Sequence, residues 1–568
     1  MSFFLGIYSY AGTAVKIPEA FKKYKFSSNG NLSVYHEERG ILEIKNTDGC
    51  LCAAKGFFYD KKTDGKNIYS SNGNYVSALY DINSDKLTLS RSIFGALPLY
   101  FYDDGKVFIF STHIEYLREF TKNMTANAAA LDSYLTHKAV TADKTAYKNI
   151  FSLKAGFKAV KIKDEAIKYE RYETLNFKAD KTKKFQTAAA ELKSLISSSL
   201  NMILQENPET AVFLSGGLDS NIAASLAAKK GVNSVFSAKI DNTDFDESLY
   251  AAKAAKFYGL KYNEVYVGSF NYDDLFELAK VYEQPFADAS AYPVYKLMKE
   301  SSRHYKSFLT GDGADELFGG YLRYRAVKAA SAVPGIIKKP LKFLGGIFDV
   351  KGGERNLFKY ARRFTSALSS SVCDINAAWY AAFSDDEKRL LLTAKTDFSA
   401  LDEYKSYCAT KRPLDGIFNA DINLQLTDCF SLKIFFPAEH FSIAVNSPFY
   451  NKEILDFSQS LPEKYKISLS SGKRILKEAF KNDLPDFVIK RRKRGFGIPL
   501  NGWFRKESKD LALDLLLSER SLSRNYFNPA YLKKILDDHM SFKDNNGQKI
   551  WALCMYEMWN RAFIDNKK

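Results

Sequence analysis

The rhythm of hydrophobic and polar positions changes once along this chain. Over residues 1–185, short apolar or alternating runs predict strands: FFLGIYSYA, YVSALYDI, KLTLSRSI, KVFIFS and FKAVKIKD, separated by Gly, Asn and Asp turns. DINSDK (81–86) predicts a hairpin turn between two of them. A lysine-rich stretch, Lys181–Lys184, then leads into FQTAAAELKSLISSSLNMIL, whose apolar positions recur with the helical period. From about residue 208, strand and helix patterns alternate: TAVFL before AASLAAKK, NSVFSAKI before ESLYAAKAAKFYG, KYNEVYVG before YDDLFELAKVY, then KSFLTG. Alternation of this kind predicts an α/β fold with a doubly wound parallel sheet. Beyond about residue 325 the pattern reads mostly helical. The expected division is 1–185 and 186–568.

Composition narrows the class of protein. The 568 residues are 46% hydrophobic and 26% charged, enough to build large cores, so global disorder is excluded. No apolar run approaches the ~18 residues of a spanning helix, and MSFFLGIYSYAG lacks the basic start of a signal peptide. Six scattered cysteines with no CxxC pair fit neither a disulfide framework nor a zinc ribbon. The expected location is cytoplasmic, with no membrane partner. The net charge of +16 has two readings: a taste for anionic partners, or a genome rich in lysine, tyrosine and phenylalanine. One short basic cluster stands out, Lys490–Arg494, without the fingerprint of a nucleic-acid module, so nucleic acid is not the expected partner.

The chemistry concentrates in two loops. Ser215-Gly216-Gly217-Leu218-Asp219-Ser220 follows the apolar run Ala211–Leu214 and precedes a helix. Small residues let the backbone wrap tightly, and amides, hydroxyls and a helix N-terminus then make a cradle for phosphate. An aspartate inside such a cradle repels phosphate unless Mg²⁺ stands between them. The loop is not a Walker A motif. Taken alone, a glycine turn with an Asp/Ser cap gives the same letters; the strand–loop–helix context favours the cradle. Thr310-Gly311-Asp312-Gly313-Ala314-Asp315-Glu316 follows a second apolar strand. Loops after the C-terminal ends of parallel strands converge on one crevice. Asp219 and Asp315 could thus face one Mg²⁺–pyrophosphate, leaving Asp312 for acid–base or positioning work.

Five segments in order, SGGLDS, DFDES (244–248), EQPFADASAYPVY (283–295), TGDGADELFGGYLRY (310–324) and GKRILKEAF with RRKRGFGIPL (472–500), resemble the asparagine synthetase family. The resemblance implies an N-terminal Ntn-hydrolase-like, glutaminase-type α/β/β/α sandwich and a C-terminal PP-loop ATP-pyrophosphatase domain. It implies ATP and Mg²⁺ as cofactors, attack of a substrate carboxylate on the α-phosphate, an acyl-adenylate, and displacement of AMP by an amine. The family's pyrophosphate loop maps onto Ser215, Gly216, Gly217, Asp219 and Ser220, with Leu214 and Gly311 beside the nucleotide. Its metal-binding aspartates map onto Asp219 and Asp315, its active-site carboxylate onto Asp312, and its active-site lysine onto Lys473, which would offset charge developing on phosphorus and leaving pyrophosphate.

Two departures stand out. The family's glutaminase nucleophile is a cysteine at position 2, where this chain has Ser2; an alternative alignment through Gly6-Ile7 puts Leu5 in that slot. Arg91-Ser92-Ile93-Phe94-Gly95 keeps the family's Arg-Asp hairpin but replaces its glutamine-anchoring aspartate with Ser92. The first domain is therefore expected to keep its sandwich and lose glutamine hydrolysis. In the second half, an Asp-Arg pair of the family reads Phe435-Phe436, and a Glu and an Arg read Ala444 and Asn446. Either the substrate pocket has changed or a salt-bridge network has been replaced by packing.

Three functions follow. The default is an ammonia-using, asparagine synthetase-like amidoligase acting on aspartate. The second is a specialised relative, such as a lasso-peptide or β-lactam-type cyclase or a sugar-acid amidating enzyme, whose carboxylate is a peptide or sugar acid. The third is an inactive nucleotide-binding protein, against which Asp219, Asp312, Asp315 and Lys473 argue. On a homodimer the sequence is silent.

Overall fold

The structure is a computed structural model describing residues 4–565, apart from 11–16, 37–41, 48, 60–67, 69–70, 122–123, 164, 243, 335–370, 395–396, 411 and 493–494. Ser2, and Lys493 and Arg494 of the basic cluster, lie outside the described residues.

The first half forms two antiparallel six-stranded sheets. Its strands are β1 (Phe4–Ser9), β2 (Lys25–Asn29), β3 (Leu32–His36), β4 (Leu42–Thr47), β5 (Cys50–Phe58), β6 (Gly73–Asp81), β7 (Lys86–Arg91), β8 (Tyr100–Asp103), β9 (Val107–Ser111), β10 (Phe151–Ser152), β11 (Phe157–Ile162) and β12 (Lys168–Arg171). One sheet runs β10-β8-β9-β1-β3-β2 and the other β12-β11-β7-β6-β5-β4. The expected hairpin joins β6 to β7, pairing Ala78 with Leu89 and Tyr80 with Leu87. Because strand side chains alternate, this register turns Val76, Ala78, Tyr80, Leu87 and Leu89 to one face. They meet Phe4, Tyr8, Val34, Phe108 and Phe110 of the other sheet in a single core. Helices α1 (Ile114–Arg118) and α2 (Ala128–His137) cover the far side of the first sheet through Leu117, Leu131 and Tyr134. Among the described residues of this half, no helix covers the second sheet, whose outer face carries Cys52 and Ala54 with Ile68 packed against them.

Helix α3 (Phe185–Glu206) opens the second half and buries Leu192, Ile196, Leu200 and Ile203. A five-stranded sheet follows, with β13 (Thr210–Phe213), β14 (Ser234–Lys239), β15 (Lys261–Tyr266), β16 (Ser307–Leu309) and β17 (Ala444–Asn446) in the order β15-β14-β13-β16-β17. Every pairing is parallel. The connecting helices are α4 (Leu218–Ala228), α5 (Ser248–Tyr258), α6 (Tyr272–Tyr282) and α7 (Ala291–Ser301). The chain moves outward from β13 to β15, then returns to β13's other side at β16. That reversal opens a crevice at the C-terminal ends of β13 and β16, where such sheets bind ligands. Two short helices, α8 (Ala314–Phe318) and α9 (Leu322–Ala332), lead into the helical remainder. Strand β17 interrupts that remainder. Helix Pro413–Ala420 continues through a π-helical turn, Asp421–Phe430, into helix Ser431–His440.

The two halves are braced together by buried polar groups. Arg91 donates to the carbonyls of Gly95, Leu97, Leu153 and Thr427 and to Asp428 Oδ1 at 3.2 Å. Lys55 pairs with Glu439 at 2.8 Å. Asn74 donates to the Tyr450 carbonyl, and Phe94 stacks on the Tyr450 ring.

Candidate functional site

Both predicted loops line the crevice. In the first, the Ser215 amide donates to Ser220 Oγ and the Gly217 amide to Ser215 Oγ, each at 3.1 Å. The Asn221 side chain takes the carbonyls of Ser215 and Gly217 at 3.0 and 2.7 Å, locking the turn from within. In the second, the Asp312 amide donates to Thr310 Oγ1 and the Asp312 carbonyl accepts from Ser447 Oγ at 2.6 Å. The loops touch backbone to backbone: a Cβ on Gly311 would lie 2.6 Å from the Asp219 carbonyl carbon. Only glycine permits that approach.

Lys473 closes the arrangement from a distant segment. Its Nζ lies 2.5 Å from Asp219 Oδ2 and 2.5 Å from Asp315 Oδ1. The lysine is buried and caps helix Arg474–Ala479 with a left-handed backbone, φ 52°. A side-chain-bearing residue held there costs about 1–3 kcal/mol, strain that clusters at functional sites. Gly320 makes the room, since a Cβ there would lie 2.2 Å from Lys473 Cε.

Two connected cavities surround this centre. The smaller, about 340 Å³, is lined by Leu214, Ser215, Asp219, Ser220, Gly311, Asp312 and Asp315. The larger, about 1270 Å³, is lined by Gly216, Gly217 and Lys473. Lys138, Glu247, Asp288, Ser290, Gly495 and Phe496 line both. All the predicted site residues therefore meet in one place.

The electrostatics suit an anionic ligand. Burial, then the neighbouring charges of Lys473 and Arg325, holds the Lys477 ammonium below its ordinary pKa. Burial and Arg492 do the same to Arg325. Lysines and arginines that lower one another's pKa gain when an anion enters between them. In the smaller cavity, burial and the Asp315 charge push the Glu316 carboxyl up to about 7, and Tyr321 Oη donates to it. Burial opposes the Lys433 charge, but Asp312 and Asp288 outweigh it and raise its pKa. Lys433 Nζ sits 3.9 Å from Asp312 Oδ1.

Asp219 and Asp315 also fit the modest protein share of a Mg²⁺ site. Mg²⁺ keeps several waters and takes one or two carboxylates together with substrate phosphates. Both carboxylates reach a single ammonium, so they already converge. Among the described residues no group of three or more His, Cys, Asp or Glu side chains could hold a metal.

Comparison with known proteins bears on this geometry. The asparagine synthase family matches residues 191–561, more than half of the chain. The chain belongs to the asparagine synthase family. A glutamine amidotransferase domain also matches, over residues 60–173. Asparagine synthetase [glutamine-hydrolyzing] 1 of Bacillus subtilis is 24% identical over 554 residues, covering 95% of this chain and 85% of that protein. A putative asparagine synthetase [glutamine-hydrolyzing] of Mycobacterium bovis is 24% identical over 583 residues, covering 97% and 86%.

Against that family background, the altered residues fall in separate places. Phe435 and Phe436 line neither cavity; they pack on His113 and Tyr282 in the core beneath. Ala444 and Asn446 belong to β17, where the Asn446 carbonyl accepts the Thr310 amide. At Phe435 and Phe436 the structure supports packing in place of charge. In the first half, Leu5 is buried in β1, and the Ser92 hydroxyl accepts the Tyr75 amide. Sequence reasoning assigned no role to Lys138, Asp288, Glu316, Lys433 or Arg491. Asp288, Glu316 and Arg491 lie inside segments that resemble the family; Lys433 stands beside the altered Phe435-Phe436, and nothing in the residue pattern marks Lys138.

Proposed function

We propose that this asparagine synthase family member adenylates a carboxylate with ATP·Mg²⁺, releases pyrophosphate, and passes the acyl group to an amine, with aspartate and ammonia as default substrates. One observation carries the reading: Lys473 lies 2.5 Å from Asp219 and from Asp315, joining two crevice loops and a third segment. The SGGLDS loop cradles pyrophosphate through amides and hydroxyls. Asp219 and Asp315 hold the Mg²⁺, which neutralises phosphate charge when bound. Lys473 then turns toward the α-phosphate and steadies the charge that develops there. Asp312, with Lys433 beside it, positions the acceptor carboxylate.

The first domain works as a scaffold in this reading. Its anchoring aspartate is Ser92, engaged with backbone, and its arginine, Arg91, is spent on the interface. Ammonia then comes from solution or from a partner. The test is release of AMP and pyrophosphate from ATP·Mg²⁺ with aspartate and ammonium, against Asp219→Ala. Asparagine formed by the unmodified chain and lost in the variant supports the reading; aspartate-independent release, equal in both, overturns it.

A second reading, a specialised relative with a larger acceptor, is favoured by the size of the main cavity. At about 1270 Å³ it exceeds the roughly 300–1,000 Å³ of ordinary small-ligand pockets. Release driven by a peptide or sugar acid, and not by aspartate, would select it.

A further inference from the structure

The first domain sends one charged group into the synthetase cavities. Lys138 follows α2 with a left-handed backbone, φ 67°, its amide bonded to the Tyr134 carbonyl at 2.7 Å. Its carbonyl accepts the Ala287 amide at 2.7 Å, beside Asp288. Further bonds tie the same two segments together: the Ala146 amide to Gln284 Oε1 at 2.8 Å, and Tyr147 Oη to the Glu283 carbonyl at 3.0 Å. The first domain thus fixes Lys138 and the Asp288 loop as one unit.

Both side chains line the wall shared by the two cavities. Lys138 is half-buried and, among the described residues, in no ion pair. Asp288 is buried, and its Oδ1 accepts the amide and hydroxyl of Ser290. Burial works against the Asp288 charge, but Lys138, Lys433 and Ser290 outweigh it and keep the carboxyl below its ordinary pKa. A fixed cation and a fixed anion therefore stand side by side on a cavity wall. A simple anion placed there would meet Asp288, and a simple cation would meet Lys138 and Lys433. A group bearing both charges satisfies both.

Resting on the adenylation reading above, we propose that Lys138 and Asp288 form the subsite for the α-amino-acid head group of the acceptor, carboxylate on Lys138 and ammonium on Asp288. Lys138 is then a specificity-determining residue supplied by the glutamine amidotransferase-like first domain.

The test is calorimetric binding to the full chain loaded with a non-hydrolysable ATP analogue and Mg²⁺, using three probes. Aspartate carries both charges of the head group, succinate lacks the ammonium, and β-alanine lacks the α-carboxylate. Lys138→Met is expected to weaken aspartate and succinate by about 10- to 100-fold, the scale of a charge-assisted hydrogen bond, and to leave β-alanine unchanged. Lys138→Arg is expected to restore most of the loss. Equal aspartate affinity for the unmodified chain and Lys138→Met, or no aspartate binding to the unmodified chain, overturns the proposal. Failure of the adenylation reading is seen separately, as analogue binding and pyrophosphate release that Asp219→Ala leaves unchanged.

Discussion

Arg91 and Lys473 are both buried cations in segments that resemble the family's motifs, and they are spent differently. Arg91 meets four carbonyls and one carboxylate, all from the protein. Lys473 sits between two carboxylates on the wall of a large cavity, with further lysines and arginines around it. In the first region the charge is fully absorbed by structure. In the second, two carboxylates converge on one lysine and further cations line the same cavity, an arrangement that a polyphosphate with its metal would complete. The two regions thus differ in what their charges face, even where the motif letters survive.

The sharpest way to break this contrast is to remove each cation in turn. Arg91→Met leaves Asp428 buried without its partner, and breaking a buried pair costs about 3–5 kcal/mol. Denaturant unfolding is expected to show that loss, while pyrophosphate release per folded molecule stays unchanged. Lys473→Met is expected to strike release itself. Release should fall about 10²- to 10³-fold, the usual cost of deleting one preorganised transition-state contact. Unfolding should register a loss too, because Asp219 and Asp315 are left without their shared cation, so release is read per folded molecule. If Lys473→Met leaves release per folded molecule unchanged, or Arg91→Met abolishes it, the contrast is wrong.

Lys466 sharpens the same point at a buried cation that lines neither cavity. Burial pulls its ammonium down to about 7, against the charge of Asp415, and it lies over the Phe418 ring. The folded value is below the ordinary lysine value, so folding disfavours the proton. The stabilising contribution is complete above the ordinary value and is lost as pH falls toward 7. Between pH 7 and pH 9 the unmodified chain should therefore gain about 1–3 kcal/mol relative to Lys466→Met. Thermal unfolding of both at the two pH values measures this.

What the sequence made legible follows the same division. SGGLDS and TGDGADE could be placed at the site because each is contiguous and follows an apolar strand, and topology forces such loops together. The long periodic elements, such as the helix at Phe185–Glu206, were equally plain. β17 was not, because three residues carry no period. Lys25–Asn29, with one apolar residue in five, carries no period either. The partnership of Arg91 with Asp428, or of Lys138 with the Asp288 loop, joins residues far apart in sequence. Only the docking of the two halves reveals it.

The smallest expected effect concerns glutamine. Added in place of ammonium, it should give no product above background if the first domain is a scaffold. Restoring the family's aspartate as Ser92→Asp should not change that. The Ser92 side chain is buried and accepts the Tyr75 amide, next to an arginine already committed to other partners. An aspartate there would bury a charge that Arg91 is not free to neutralise, so the variant should lose stability and gain no hydrolysis. Ammonia measured from glutamine by a coupled assay decides the matter. Hydrolysis by the unmodified chain would mean that a nucleophile works in the first domain without the family's cysteine, and that both regions of the molecule, not one, have kept their chemistry.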